Sequence, residues 1–464
     1  MQNNFIANSE HQEAAKSGFY SQHLAAVSNK GNSAFTTDDV FNEHGALLIK
    51  KGVHIDTNIR DKLLQHKLLK PLDHLVGLEK QVNTQTLRTR FNQLMNDYPD
   101  VREINKTLRF ESEFEKLLNT NYLHPIITQK LTVLNSQFSS EFDKCMFNAW
   151  LSTITARELD LSQTDIKNTF ITSMLHDIGM MHLDPDIVNS NRQLTPDEWK
   201  TIQAHVIIGK LITDAIPDLS PDVSRAVVEH HETCFGSGYP FSISGYERGV
   251  IGRIIGMSDS IHAIRVNNFV KEKRTLGDIQ PFLQLNSITQ SNDVYCAMMS
   301  IFKKSKLKRT RICPVNNPNT YAKQVGQQVR IMSDSKSALD NVYTGLNEQH
   351  FANRNDKNTS SILAILRRML TTITESGLLS TELVVWLNQA STEMDIDDIV
   401  LDEINEVDLL ISELTWQMRN TLRMLSAHYD KLRDKNKSVG DPIATSIETI
   451  KENLDQLQAL QPIN

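Results

Sequence analysis

The sequence predicts a mainly α protein: a helical bundle with a small mixed α/β module ahead of it and a further helical region behind it. Three observations carry that expectation. From about Thr84 onward, apolar residues such as Leu87, Phe91, Leu94 and Met95 recur every three or four positions, the spacing of an amphipathic helix. Ahead of them, FNEHGALLIKKGVHI has turn residues at Glu43-His44-Gly45 and Lys51-Gly52 flanking the apolar run ALLI, which reads as a short strand or hairpin. Near the other end, Ile404, Val407, Ile411, Leu414, Met418, Leu422 and Leu425 form one apolar seam on a long helix over about 397–434.

In chain order, residues 1–80 form the small module, a hairpin plus a helix in DTNIRDKLLQHKLL capped by Asp56 or Thr57. Its first 30 residues are polar and expected to be loose or weakly helical. Residues 81–138 read as a helical connector. Residues 139–310 form the next domain, mostly helical over 139–306, with main interruptions at 182–194 and in a glycine- and serine-rich loop at 233–246. The basic run KKSKLKRTR at 303–311 reads as a solvated helix end and linker. Residues 311–464 form the C-terminal helical region. Its seam fits either a coiled coil that makes a homodimer or a helix packed on its own chain.

Composition narrows the class. With 49 basic and 56 acidic residues in 464 and a net charge of −7, the chain has no global footprint for DNA. Cys145, Cys234, Cys296 and Cys313 lack CxxC spacing and are too few for a disulfide scaffold. The N-terminal residues lack a secretory pattern, and no run of 18 apolar residues offers a membrane span, so a cytoplasmic protein is expected.

The chemistry sits in 139–310. His176-Asp177, His205, His230-His231 and Asp259 recur at wide intervals in apolar helical context. Imidazoles and carboxylates are donors for iron, manganese or zinc, and a charge inside an apolar helix must be paired or bound to something. A lone histidine on an apolar helix is usually a satisfied core residue. Six of the chain's 15 histidines fall between 176 and 262, which weakens that reading for the set; His182 and His262, taken singly, keep it. His176 and Asp177 are expected at the end of a helix beginning near Gln163. His205 is expected on a helix starting near Thr195-Pro196, His230-His231 at a helix end, and Asp259 inside a helix. A carboxylate can bridge two metals, so Asp177 is the natural shared ligand. A two-metal centre suits phosphodiester hydrolysis, clamping phosphate oxygens and activating water. No GxSxG or Walker-type loop offers a different route.

At these residues the sequence resembles the HD-GYP family of bacterial cyclic di-GMP phosphodiesterases, a branch of the HD metal-dependent phosphohydrolases. The resemblance covers roughly 139–305. It rests on His176-Asp177, His205, His230-His231-Glu232, Gly236-Ser237-Gly238-Tyr239-Pro240, and Arg253-Ile254 followed by Asp259, with LTPDEW at 194–199. It implies an all-α HD-type bundle and cleavage of cyclic di-GMP to pGpG or GMP. It also implies two divalent metals, iron or manganese first, with zinc, nickel or magnesium also admissible. The implied metal ligands are His176, Asp177, His205, His230, His231 and Asp259, with Asp177 and His176 the catalytic pair. The implied substrate contacts are Gly238, Tyr239, Pro240, Arg253 and Lys271. The GYP loop could equally dock a GGDEF-domain cyclase or another signalling protein.

The sequence departs from the family pattern in places. Lys144 stands where a ligand histidine is usual, 32 positions before the HD pair; Met180 replaces a lysine, and Phe235 an acid. The arginine-rich segment after the last aspartate is RVNNFVKEK, in which Lys271 substitutes in part, and His262 takes the place of a second aspartate. What remains divides into His176, Asp177 and Asp259 for one metal and Asp177, His205 and His230 for another, with His231 serving a third ion or a water. Two functions follow: an active phosphodiesterase with a depleted site, or a catalytically impaired receptor for the nucleotide.

Overall fold

The computed structural model describes residues 19–460 except 71, 191, 193, 235–237, 244–247, 287–291, 314–316, 353–356, 393–394 and 434–441. The protein is mainly helical, with few strands. It divides into two compact units, Met1–Val266 with Thr289–Leu307, and Asn267–Ile288 with Lys308–Asn464.

In the first unit, helix α1 (Phe19–Asn29) precedes strands β1 (Ala34–Thr36), β2 (Val40–Phe41) and β3 (Leu47–Ile49), helix α2 (Thr57–Leu64) and strand β4 (Val76–Leu78). The strands pair antiparallel as β1 with β4 and β2 with β3, so the expected hairpin is present. Gly45 and Gly52, at the two predicted turns, have φ of 76° and 81°, left-handed values that cost glycine nothing. Asp56 caps α2, its carboxylate accepting from Ile59 N at 2.8 Å. One expectation fails here: residues 19–29, read as loose or weakly helical, form a helix whose Leu24 and Val27 are fully buried. Apolar residues on one face of a polar-looking segment were enough to dock it. Residues 1–18 lie outside the described residues.

The connector supplies α3 (Thr84–Asp97), α4 (Pro99–Thr107), α5 (Glu111–Leu117) and α6 (Pro125–Gln137). An Asn83–Thr86 capping box starts α3. The central helices follow: α7 (Ser139–Glu158), α8 (Gln163–Leu175), α9 (Pro196–Gln203), α10 (His205–Asp214), α11 (Pro221–Glu229), α12 (Val250–Ile264) and α13 (Asn292–Ser305). Most of α7 is buried, with Trp150, Leu151 and Ile154 fully so, and it packs on α8, α12 and α13. The end of α12 is fixed to the connector by a buried two-point ion pair: Arg265 donates to Asp100 Oδ2 at 2.6 Å and Oδ1 at 2.8 Å. The predicted basic run begins as the last turn of α13, where Lys304 pairs with Glu158.

The second unit is a bundle of α14 (Pro318–Ala352), α15 (Lys357–Glu375), α16 (Thr381–Thr392), α17 (Asp398–Arg433) and α18 (Pro442–Leu460). The expected long helix is α17. Its seam from Ile404 to Leu425 is buried in the core of this unit, against α14, α15 and α18. The seam is therefore a bundle helix packed on its own chain, and its apolar residues are not free to form a homodimer. No helix among the described residues is long and apolar enough to cross a membrane.

Candidate metal centre

Four chain segments deliver the ligand-type residues to one point, and in each the local sequence explains the placement. Ser162 caps α8, accepting from Asp165 N at 3.1 Å, and the helix runs to Leu175 with His176 closing it. Asp177 then opens a short 3-10 turn over Ile178–His182. A capping box between Thr195 and Glu198 starts α9, as LTPDEW predicts. Here the structure differs from expectation: the helix breaks at Ala204, and His205 opens a separate helix, α10. His230 closes α11, and Asp259 lies within α12. Two glycines permit the approach. A Cβ on Gly179 would lie 2.0 Å from the His205 carbonyl oxygen, and one on Gly256 would lie 2.3 Å from that of His230.

Three histidines share one device. Nδ1 of His176, His205 and His230 stands 2.8, 2.7 and 2.7 Å from the backbone carbonyls of Ser173, Ile202 and Val227. A carbonyl only accepts, so Nδ1 carries a proton and Nε2 is the ring nitrogen turned inward. The Nε2 atoms converge on Asp177: His205 at 3.1 Å and His230 at 3.7 Å from Oδ1, His176 at 3.2 Å from Oδ2. Asp177 Oδ1, His205 Nε2 and His230 Nε2 are all buried, and none has a well-directed hydrogen bond among the described residues. Acceptor atoms packed around one point without a donor are what a cation would satisfy.

Donor atoms of Asp177, His205, His230 and His231 form one close group, and those of His176, Asp177 and Asp259 form a second. These residue types fit a divalent metal, so the expected ligands are brought together around a shared Asp177. Burial holds the His230 pKa below the usual histidine range, and burial with the neighbouring His230 and His205 holds His231 well below it. Both rings thus stay neutral at ordinary pH. Burial opposes the charge on Asp177, but His176 and Lys144 outweigh it and hold the carboxyl well below its usual range.

The second group contains a cation of its own. Lys144 Nζ lies 2.8 Å from Asp177 Oδ2 and 2.9 Å from Asp259 Oδ1. Asn148 donates to Asp259 Oδ1 at 3.0 Å, places its amide 3.4 Å from His176 Nε2, and accepts from Ser258 Oγ at 3.2 Å. Asn148 was not singled out from the sequence. A fully buried asparagine in the apolar run CMFNAWLS, one helical turn after Lys144, was the available signal.

The loop beyond His231 closes the other side. The Tyr239 ring stacks on His231, centroids 4.7 Å apart, and Tyr239 N donates to His231 O at 3.3 Å. Gly238 lies against the His231 and Glu232 backbone, and Pro240 follows Tyr239. Glu232 ties the loop down, accepting from Phe241 N at 2.6 Å and Ile243 N at 3.0 Å. Gly236 and Ser237 lie outside the described residues. Arg253 is nearly buried and donates to Asp293 at 2.6 Å. Lys271 is exposed on the short helix Val270–Glu272, which belongs to the second unit. His182 stacks on Tyr20 with centroids 4.8 Å apart, and His262 packs on Phe147; neither joins a donor group.

Comparisons with known proteins match the part of the chain that holds these residues. A model of the HD domain matches residues 121–287. A "Probable cyclic di-GMP phosphodiesterase" of Vibrio cholerae is 32% identical over 119 residues, covering 24% of this chain and 27% of the relative. A "Cyclic di-GMP phosphodiesterase" of Thermotoga maritima is 28% identical over 116 residues, covering 25% and 32%. A "3'3'-cGAMP-specific phosphodiesterase 3" of Vibrio cholerae is 29% identical over 149 residues, covering 32% of each chain. The chain thus spans about a third or less of the length of these curated relatives. With the His176-Asp177 pair, the three downstream histidine and aspartate segments and the loop through Tyr239 and Pro240 in place, the segment 121–287 is similar to HD domains and to the matched part of these phosphodiesterases.

Proposed function

We propose that this HD domain is a metal-dependent phosphodiesterase that hydrolyses cyclic di-GMP to pGpG or GMP. The observation that carries the proposal is the convergence of His205 Nε2, His230 Nε2 and Asp177 Oδ1, buried and without hydrogen-bond partners among the described residues, beside the Tyr239 loop. A divalent ion held there, iron or manganese by donor type, supplies Lewis acidity to phosphodiester oxygens and to an attacking water. The chain's part is preparation. Backbone carbonyls hold the rings of three histidines with Nε2 inward, and the ionised Asp177 links both donor groups. The Tyr239 ring covers His231, and burial keeps its phenol neutral.

Of the substrate contacts, Gly238, Tyr239 and Pro240 stand beside the donors and carry this reading, while the Arg253 guanidinium is engaged by Asp293. The exposed Phe241 next to Pro240 is where we place a partner protein such as a GGDEF-domain cyclase. The relatives' names span two cyclic dinucleotides, so both belong in the assay. The chain, purified without chelators and loaded with manganese or iron, is expected to turn over cyclic di-GMP faster than 3'3'-cGAMP, and Asp177→Ala to fall to background. Nucleotide binding without turnover under either metal would overturn the enzyme and leave the impaired receptor that Lys144 and Met180 favour.

A further inference from the structure

The two donor groups around Asp177 are not equivalent. In the group of Asp177 Oδ1, His205 and His230, three donor atoms are buried with no hydrogen-bond partner among the described residues. In the group of His176, Asp177 Oδ2 and Asp259 Oδ1, the donors have partners from the chain itself. Lys144 Nζ touches both carboxylates, at 2.8 and 2.9 Å, and Asn148 Nδ2 donates to Asp259 Oδ1 and faces His176 Nε2. Lys144 and Asn148 lie four apart on α7, so one helix face presents both donors to the same pocket. The sequence expectation of two ions assigns one to each group; the geometry does not support that symmetry.

We infer that Lys144 is a resident cation of the centre: its ammonium takes the position of the second ion, and the chain binds one divalent metal, at Asp177, His205, His230 and His231. The inference rests on the metal reading above and is independent of the substrate. A metal ion on Asp177 Oδ2 and Asp259 Oδ1 would sit about 2.0–2.2 Å from each oxygen. The ammonium is already within 3 Å of the same two atoms, using the lone pairs such an ion requires. Two cations on one pair of oxygens repel at a distance where buried charges are least screened. A tethered ammonium also needs no uptake from solution. It splits the work of Asp177, with Oδ2 neutralised by Lys144 and Oδ1 left for the metal.

The test counts ions. The full chain, stripped and reconstituted with excess manganese, is examined by native mass spectrometry and metal analysis. One ion per chain is expected, rising to two in Lys144→His, with a weaker second binding event in Lys144→Gln. Two ions in the parent would overturn the inference, as would one ion in the parent and in both folded variants. If neither variant folds, the parent's manganese electron paramagnetic resonance decides. A six-line signal of an isolated ion supports a single metal. A coupled spectrum, as from ions about 3.5–4 Å apart, sinks it. A chain with one ion and no turnover would overturn the substrate reading alone, and a chain with no ion the metal reading as well.

Discussion

Both units of this protein bury polar groups among helices, and they deal with them differently. In the C-terminal bundle the solutions are local and pairwise. Tyr321 OH donates to Asp408 Oδ2 at 2.8 Å, Asn405 to the Leu401 carbonyl at 2.8 Å, and Thr415 to the Ile411 carbonyl at 2.7 Å. Atoms left without a partner among the described residues, such as Gln328 Oε1 and Tyr429 OH, stand singly on different helices. In the HD domain, residues from α8, α10, α11 and α12 and the turn after α8 send acceptor atoms to one point. Burial alone does not separate the two cases. Convergence of like-natured acceptors does, because each such atom makes the others more costly to bury until a cation is added.

The largest expected effect breaks the convergence itself. His205→Ala removes one of the partnerless Nε2 atoms, and manganese affinity measured by titration calorimetry should fall by at least about 100-fold. His176→Ala should cost less, because the His176 Nε2 atom already faces the Asn148 amide. Equal losses in the two variants would mean that the two donor groups work as one. A smaller effect tests locality. Manganese at about 100 times its Kd should stabilise the unit that binds it by about 2.7 kcal/mol. Hydrogen exchange should then slow in α8, α10, α11 and α12 and stay unchanged in α14–α18. Protection spread evenly over both bundles would count against a site confined to the HD domain.

A third effect concerns the loop rather than the donors. The Glu232 carboxylate holds Phe241 N and Ile243 N, and hydrogen bonds to a charged acceptor contribute about 1.5–3 kcal/mol. Glu232→Gln is expected to raise KM for cyclic di-GMP several-fold and speed proteolysis after Phe241, with metal content unchanged. Loss of the metal in this variant would show that the loop supports the donors and not the substrate.

The sequence made most of this centre legible, for a physical reason. Ligands at helix ends leave marks in capping residues: Ser162 before α8, Thr195 and Glu198 around α9, Ser220 before α11. The long helix α17 was readable from its seam, although the seam could not reveal whether it faced its own chain or another. What stayed hidden depends on distances across the chain. The helix break at Ala204, the amide of Asn148 and the Arg253–Asp293 pair have no periodic signature. Lys144 is the sharpest case. Along the chain it is a missing imidazole; in space its ammonium is bonded to Asp177 and Asp259, 33 and 115 residues away by the difference of their numbers.

The smallest effect lies on the pairwise side of the comparison. Burial pushes the Asp408 carboxyl above its ordinary range, although the Tyr321 hydroxyl and Arg274 pull the other way. A carboxyl whose folded pKa is raised favours the fold most when protonated. That contribution is complete below the ordinary value and is lost as pH rises through the raised one, so at neutral pH the charge is a net cost. Asp408→Asn removes the charge and keeps an oxygen to accept from Tyr321 OH. Its unfolding midpoint at pH 7.5 should exceed the parent's by on the order of a few degrees. The gain should shrink toward zero as pH falls into the ordinary carboxylate range, where the parent also carries a neutral group. A gain that does not vary with pH would mean that the charge on Asp408 is not what the bundle pays for. A loss of stability at every pH would mean that the ionised Asp408–Tyr321 bond holds α14 to α17 more firmly than burial opposes it.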